Sequence, residues 1–300
     1  MKVGSILSVV MLALSVPAFA QDSGTLKKLR DTGEIVLGVR DASIPFSYAD
    51  ETGKSIGYSV DLCMRVVDHL RQALKMPGLK VRQQGVTSAN RVPLVVNGTV
   101  DLECGSTVNN LERQKTVAFS LTTFIVNTKF IVKAASGIQK LDDLKGKTIA
   151  ITGGTNTMAK VTEINKERNL NLSIINGKDH AESFLLLTSD RVAAFAEDDI
   201  LLAGLAATSR TPNGFRLVSI EGMLADPYAL MLRRDDPQFK AAVDAGLREV
   251  FASGEVQRIY DKWFVKPIPP RNVVLNFPMS DQLKRALAKP TDSGDPNDYK

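Results

Sequence analysis

Along the chain, short continuous apolar runs alternate with stretches in which apolar residues recur every three or four positions. Gly33-Glu34-Ile35-Val36-Leu37-Gly38-Val39 is the first such run and reads as a buried strand. A short extended stretch with a proline follows at 44 to 48. From 59 to 74, Leu62, Val66, Val67, Leu70 and Leu74 share one face, which predicts an amphipathic helix. A strand at 79 to 83, a short helix at 89 to 96 ended by Asn97-Gly98, and a strand at 100 to 104 complete a first series. A second series begins near Phe124. It has strands at 128 to 132, 148 to 152, 172 to 175 and 192 to 195, a helical turn at 141 to 144, and helices at 156 to 168, 181 to 188 and 200 to 207. A strand at 228 to 232 leads back to the first series, and amphipathic helices at 237 to 252 and 255 to 263 close it. This alternation predicts layered α/β sheets, arranged as two lobes with two crossings between them. Residues 21 to 125 with 228 to 300 make one lobe and 126 to 227 the other. The cleft between such lobes is a preferred small-molecule site. Residues 289 to 300 are rich in Pro, Asp, Ser and Gly without apolar periodicity and read as a loose tail.

The first twenty residues follow a different rule. Lys2, an apolar run from Ile6 to Val16 and then Ala18-Phe19-Ala20 form a secretory signal peptide, cleaved after Ala20. No other stretch approaches the roughly 18 apolar positions of a membrane span, so the mature chain is expected to be soluble and periplasmic. Composition adds little: 44% hydrophobic and 24% charged residues are ordinary for a globular chain of 300 residues, about two domains long. The net charge of +5 contains no Lys/Arg block, which argues against a nucleic-acid partner. The two cysteines, Cys63 and Cys104, enter an oxidising compartment, where they are expected to pair as a disulfide. Two Cys and two His scattered at 63, 69, 104 and 180 lack the count and spacing of a structural zinc site, so no metal is expected.

Catalytic signatures are missing: no Gly-x-Ser-x-Gly elbow, no Walker sequence, no His-Glu-x-x-His. Two segments carry recognition chemistry instead. The turn Thr152-Gly153-Gly154-Thr155-Asn156-Thr157 follows a strand and opens a helix, so its N–H groups can hold a carboxylate or simply cap the helix. Cys104-Gly105-Ser106-Thr107 leads from a strand into small hydroxyl residues and on to Arg113, whose planar fork matches a carboxylate. Arg113 alone reads more readily as a surface ion-pair residue.

The order Glu-Cys-Gly-Ser-Thr, Asn-Asn-x-Glu-Arg-Gln-Lys and Phe-Ser resembles the family 3 solute-binding proteins of bacterial ATP-driven amino-acid importers. The likeness extends through Gly-Val-Arg-Asp and Pro-Phe-Ser-Tyr, Thr-Ser-Ala-Asn-Arg-Val-Pro at 87 to 93, Lys-Asp-His at 178 to 180, Glu-Asp-Asp at 197 to 199 and Asp-Lys-Trp-Phe near the end. The resemblance is nearest to the branch that takes L-glutamate and L-aspartate. It implies the two-lobed type II periplasmic-binding-protein fold, an acidic amino acid in the interlobe cleft, an inner-membrane ABC permease as partner, no cofactor and a monomer. It places Arg113, with Thr155 and Thr157, on the ligand α-carboxylate and Asp198 on its α-ammonium. It places Arg40, Ser88, Arg91 and His180 on the distal carboxylate, with Ser106 and Thr107 supplying further donors. Asn156 and Val108 stand where the family pattern has threonines. Three arginines against Asp198 give the cleft a surplus of two positive charges, which suits an anionic ligand, unless Arg40 and Arg91 pair with Asp41 or Glu103. Phe46 and Tyr48 are expected as an apolar wall near the ligand or as core, and Trp263 as a packing anchor. The rival readings are an enzyme on the same scaffold, of dehydratase or lyase type, and a sensory ligand domain.

Overall fold

The structure is a computed structural model and describes residues 24–300; the leader read at residues 1 to 20 lies outside the described residues. The first lobe is built on a five-stranded sheet. Its strand Glu34–Val39 runs parallel to Lys80–Gly85 on one side and to Leu102–Glu103 on the other, and Asp226–Arg233 and Val117–Val126 complete it antiparallel. All but the first residue of Glu34–Val39 are buried, as a strand covered on both faces requires. Helix Tyr58–Ala73 lies on this sheet through Leu62, Cys63, Val66, Val67 and Leu70, the face that the spacing predicts. Helix Pro237–Ala252 packs alongside it.

The second sheet has the order Ser173–Gly177, Thr148–Thr152, Ala194–Asp198, Thr128–Lys133, Phe215–Ser219, with the first three parallel and the last two antiparallel. The chain crosses between sheets twice. Val126 ends a strand of one and Thr128 begins a strand of the other; Ser219 ends a strand of the second and Asp226 begins one of the first. Asp226 pairs with Val126, so the two crossings run side by side.

An aromatic core fixes the first lobe. Phe46 meets Tyr58, Phe124, Tyr228 and Phe264 edge-on, with ring centroids 4.9 to 6.1 Å apart. It is fully buried and Tyr48 is 2% exposed, and both pack in the apolar core of the first lobe. Trp263 is the anchor expected: its indole Nε1 donates to Asp61 Oδ2 at 2.7 Å, tying the last helices to the first turn of Tyr58–Ala73. Cys63 and Cys104 are joined as a disulfide, with Cα atoms 6.2 Å apart.

Residues 289 to 300 are not a loose tail. Tyr299 is 4% exposed, and the backbone from Thr291 to Ser293 is hydrogen-bonded to the first lobe. Composition misled here because the segment is held by its own carbonyl groups and one aromatic anchor, neither of which makes an apolar period. Among the described residues no helix is long and apolar enough to cross a membrane.

Candidate functional site

The strand ends of both sheets meet at the crossings and deliver polar side chains into the space between the lobes. Arg40 follows strand Glu34–Val39 and is 2% exposed. Its Nη2 donates to Ser88 Oγ at 2.8 Å, while Nη1 has no partner within the chain. Arg91 begins a short helix after Ser88 and is also 2% exposed; its Nη1 reaches the Ser106 carbonyl at 3.4 Å and its Nε is unpartnered. Burial and the neighbouring Arg91 push the Arg40 guanidinium down to about 10, against the pull of Glu103 and Glu197, and it stays charged at neutral pH.

After strand Leu102–Glu103 the chain turns through Gly105 to Ser106 and Thr107. The loop is stitched to the strand carrying Tyr228: Ala229 N donates to the Thr107 carbonyl, Asn109 N to the Pro227 carbonyl, and Val108 bridges to Tyr228. Thr107 Oγ1 donates to Glu103 Oε2 at 2.7 Å, so this hydroxyl is already engaged, whereas Ser106 Oγ is buried without a partner. Asn110 then caps the four-residue helix Leu111–Gln114 by accepting from Arg113 N at 2.8 Å. Arg113 reaches across the cleft, donating from Nη1 to the Val108 carbonyl at 2.8 Å and from Nη2 to the Gly154 carbonyl of the other lobe at 3.2 Å. Burial and Arg91 bring it down to about 9.

The second lobe answers with the turn before helix Asn156–Glu167. Thr155 Oγ1 donates back to the Thr152 carbonyl at 2.8 Å and Thr157 Oγ1 to Glu197 Oε1 at 3.1 Å. Their hydroxyls therefore brace the turn and its buried neighbour, leaving the helix N-terminus to offer backbone N–H groups. Asn156, where the family pattern has threonine, bridges the lobes: its Oδ1 accepts from Asn110 Nδ2 at 2.9 Å. Gly154 has φ +81°, and a Cβ on it would stand 2.7 Å from Ser88 C and Ala89 Cα, so only glycine lets this turn meet the first lobe.

His180 is 1% exposed, with Nδ1 at 3.0 Å from Thr152 Oγ1 and 3.3 Å from Glu197 Oε2, and Nε2 unpartnered. Burial lowers its affinity for a proton; Glu197 opposes that, and Arg40 and Arg91 add to it. Burial raises the Glu197 carboxyl, but His180, the Asp198 N–H and Thr157 together bring it below the usual range. Asp198 accepts from the Tyr228 hydroxyl and from Thr128 Oγ1. Burial, with Glu197 and Asp226 beside it, pushes its carboxyl well up. Asp226, bonded to Lys160 and Asn156, is raised by burial too.

All ten residues expected at the site lie along this cleft, with Glu103, which the sequence offers as a pairing partner for Arg40 and Arg91, and three that sequence reasoning left out: Glu197, Asp226 and Lys160. The surplus of two positive charges is therefore corrected. Arg40, Arg91, Arg113 and Lys160 face Glu103, Glu197, Asp198 and Asp226, and the formal charges balance. What favours an anion is local. Arg40 Nη1, Arg91 Nε, Ser106 Oγ and His180 Nε2 are four buried groups able to donate that lack partners, against two buried carboxylate oxygens without a hydrogen bond, Glu103 Oε1 and Glu197 Oε2, while Asp198 and Asp226 are bonded to donors. Glu197 stands beside Asp198 in Glu-Asp-Asp; strand alternation was the available signal, but both are buried where a lobe edge meets its partner. Among the described residues no cluster of three His, Cys, Asp or Glu side chains is placed to hold a metal.

The sequence is 48% identical over 292 residues to an L-glutamate/L-aspartate-binding protein of Pseudomonas aeruginosa, covering 96% of each chain. It is 42% identical over 291 residues to a glutamate/aspartate import solute-binding protein of Escherichia coli, covering 95% of this chain and 96% of that one. A crystal structure of a mutant of the arginine-binding protein ArgBP from T. maritima superposes with a TM-score of 0.70 at 23% identity, covering 80% of this chain and 99% of that one. Residues 35–266 match the bacterial extracellular solute-binding proteins of family 3, and the chain belongs to that family.

Proposed function

We propose that this protein is the periplasmic receptor of an ABC importer, exported by a leader cleaved after Ala20, that captures L-glutamate or L-aspartate between its lobes and delivers it to an inner-membrane permease. The lobes divide near residues 126 and 227. The observation that carries the reading is the group of unpartnered buried donors on Arg40, Arg91, Ser106 and His180, which a second carboxylate would satisfy. Both full-length relatives are named as binding proteins for acidic amino acids rather than as enzymes.

In this reading Arg113, Ser106 and the N–H groups of the turn before helix Asn156–Glu167, braced by Thr155 and Thr157, hold the α-carboxylate. Asp198 takes the α-ammonium, whose positive charge favours the ionised form of a carboxyl that burial pushes up. Arg40, Arg91, Ser88 and His180 read the distal carboxylate. Thr107 acts from behind, holding Glu103 beside Arg40. A cationic ligand would leave the two buried arginines unmatched and is rejected.

Calorimetry on the mature chain tests the assignment. Glutamate and aspartate should bind one to one, and more tightly than glutamine or asparagine. Arg113→Ala should weaken glutamate and glutamine alike, by several kcal/mol as for a truncated buried charge pair. Arg40→Ala should weaken glutamate strongly and glutamine little. If Arg40→Ala and Arg91→Ala both keep the glutamate preference, the distal-carboxylate assignment is wrong.

A further inference from the structure

Residues 289 to 300 lie behind the loop that carries Arg113. Thr122 N donates to the Thr291 carbonyl at 2.8 Å. Asn109, wholly buried, donates from Nδ2 to the Asp292 and Ser293 carbonyls at 2.9 and 3.2 Å. Gln114 donates from Nε2 to the Asp292 carbonyl at 3.0 Å and to Asn109 Oδ1 at 2.8 Å. The Asp292 side chain is paired with Lys240 at 2.9 Å. Gly294 lies flat against the loop: a Cβ there would stand 2.8 Å from the Asn110 carbonyl carbon and 3.0 Å from Leu111 N. Tyr299 pins the far end, its hydroxyl 2.7 Å from both Thr122 Oγ1 and the Ser293 carbonyl. Pro296 lines a groove with Lys160, Met223 and Leu224 of the second lobe.

The segment it holds has little rigidity of its own. Between strand Leu102–Glu103 and strand Val117–Val126 the only regular structure is the four-residue helix Leu111–Gln114. Asn109 spends its whole amide on the C-terminal segment and Gln114, and its backbone N–H on Pro227. The next residue, Asn110, caps the helix through Arg113 N and touches Asn156 across the cleft. A shift of the C-terminal segment is thus passed through Asn109 and Asn110 to the guanidinium, where a displacement of a fraction of an ångström changes a bidentate contact.

We propose that residues 289 to 300 form a strap that aims Arg113 at the ligand carboxylate, with Asn109, Gln114 and Gly294 as positioning residues. This rests on reading Arg113 as the carboxylate clamp. The test places Gln114→Ala and Gly294→Val in the full mature chain, each with Arg113 and with Arg113→Lys, and measures affinity for L-glutamate and L-glutamine together with the unfolding midpoint. Each strap variant should weaken both ligands by the same factor, roughly 5- to 50-fold, and the loss should shrink to about twofold or less once Arg113 is lysine. A purely structural role would give the same loss in both backgrounds, and that result, or no loss at all, overturns the strap. If Gly294→Val unfolds the loop, Gln114→Ala decides alone, since it deletes only the amide bonds. Arg113→Lys leaving both affinities intact would instead overturn the clamp on which the strap depends.

Discussion

Arg40 and Arg91 are almost wholly buried, yet among the described residues neither forms an ion pair; Glu103 and Glu197 act on Arg40 only at longer range. Holding two charged guanidinium groups out of water costs several kcal/mol each unless a partner arrives, which is the physical basis for an anionic ligand. His180 adds a pH dependence whose sign is fixed by its surroundings. Glu197 and Thr152 face its Nδ1, and burial, with the charges of Arg40 and Arg91, lowers its proton affinity below the ordinary value of ~6.5. The unfolded chain therefore binds a proton that the folded, ligand-free chain does not, and stability falls as pH drops below about 6.5, by no more than about 1.4 kcal/mol per pH unit. Asp198 and Asp226, raised in the fold, act in the opposite sense, stabilising the fold as pH falls through their raised values. Urea unfolding of the wild type and His180→Gln between pH 7 and pH 5 isolates the histidine: the wild type should lose more stability across that range. Parallel curves would show that His180 is not buried in its neutral form.

The strands and helices that frame the site are those with the plainest periodicity. Glu34–Val39, Thr148–Thr152 and Tyr58–Ala73 are read from their apolar spacing within a residue or two. Strand Val117–Val126 escapes the reading of the sequence, because Ser120, Thr122 and Thr123 break the apolar run. Those polar residues are nonetheless buried, bonded to Leu230 N, Tyr299 and the Tyr228 carbonyl, partners more than 100 residues away. Helix Gly24–Thr32 escapes for a similar reason: its first turn is held by Asp236, through Thr25 N. The disulfide belongs to this scale, since it ties helix Tyr58–Ala73 to the strand end that begins the Ser106 loop. Closing 41 residues of chain is worth about 4 kcal/mol by the loop-entropy estimate. The double variant Cys63→Ala, Cys104→Ala should lose stability of that order in urea unfolding; an unchanged midpoint would mean the bridge constrains nothing.

At the scale of the molecule the lobes are in contact across the cleft, through Arg113 to the Gly154 carbonyl, Asn110 to Asn156 and Tyr228 to Asp198. Bending at the crossings would break these contacts, so a ligand that bridges the lobes is expected to favour this arrangement. Gly154 is the sharpest probe of it. A side chain there meets the backbone of Ser88 and Ala89 in this arrangement of the lobes, besides the strain of φ +81°. Saturating glutamate should compact the wild type in small-angle scattering, whereas Gly154→Val should stay expanded and bind more weakly. A Gly154→Val protein that compacts normally would show that this arrangement is not the liganded one.

Sequence by itself determined the alternation of strands and helices, the two lobes, and the residue types at the strand ends. Apolar period and glycine position are local properties that survive any change of partner. The motif order around Arg113 and His180 likewise marks the arginines, hydroxyls and histidine at the strand ends. Tertiary structure alone decided which donors stay free: Thr107, Thr155 and Thr157 turn out to serve the protein, while Arg40, Arg91, Ser106 and His180 keep unpartnered atoms. It also brought Glu103, Glu197, Asp226 and Lys160 into the charge balance and drew residues 289 to 300 against Asn109. Each of these depends on burial and on hydrogen bonds between segments distant in the chain, and the free energy of a buried polar group is set by the neighbours that folding supplies.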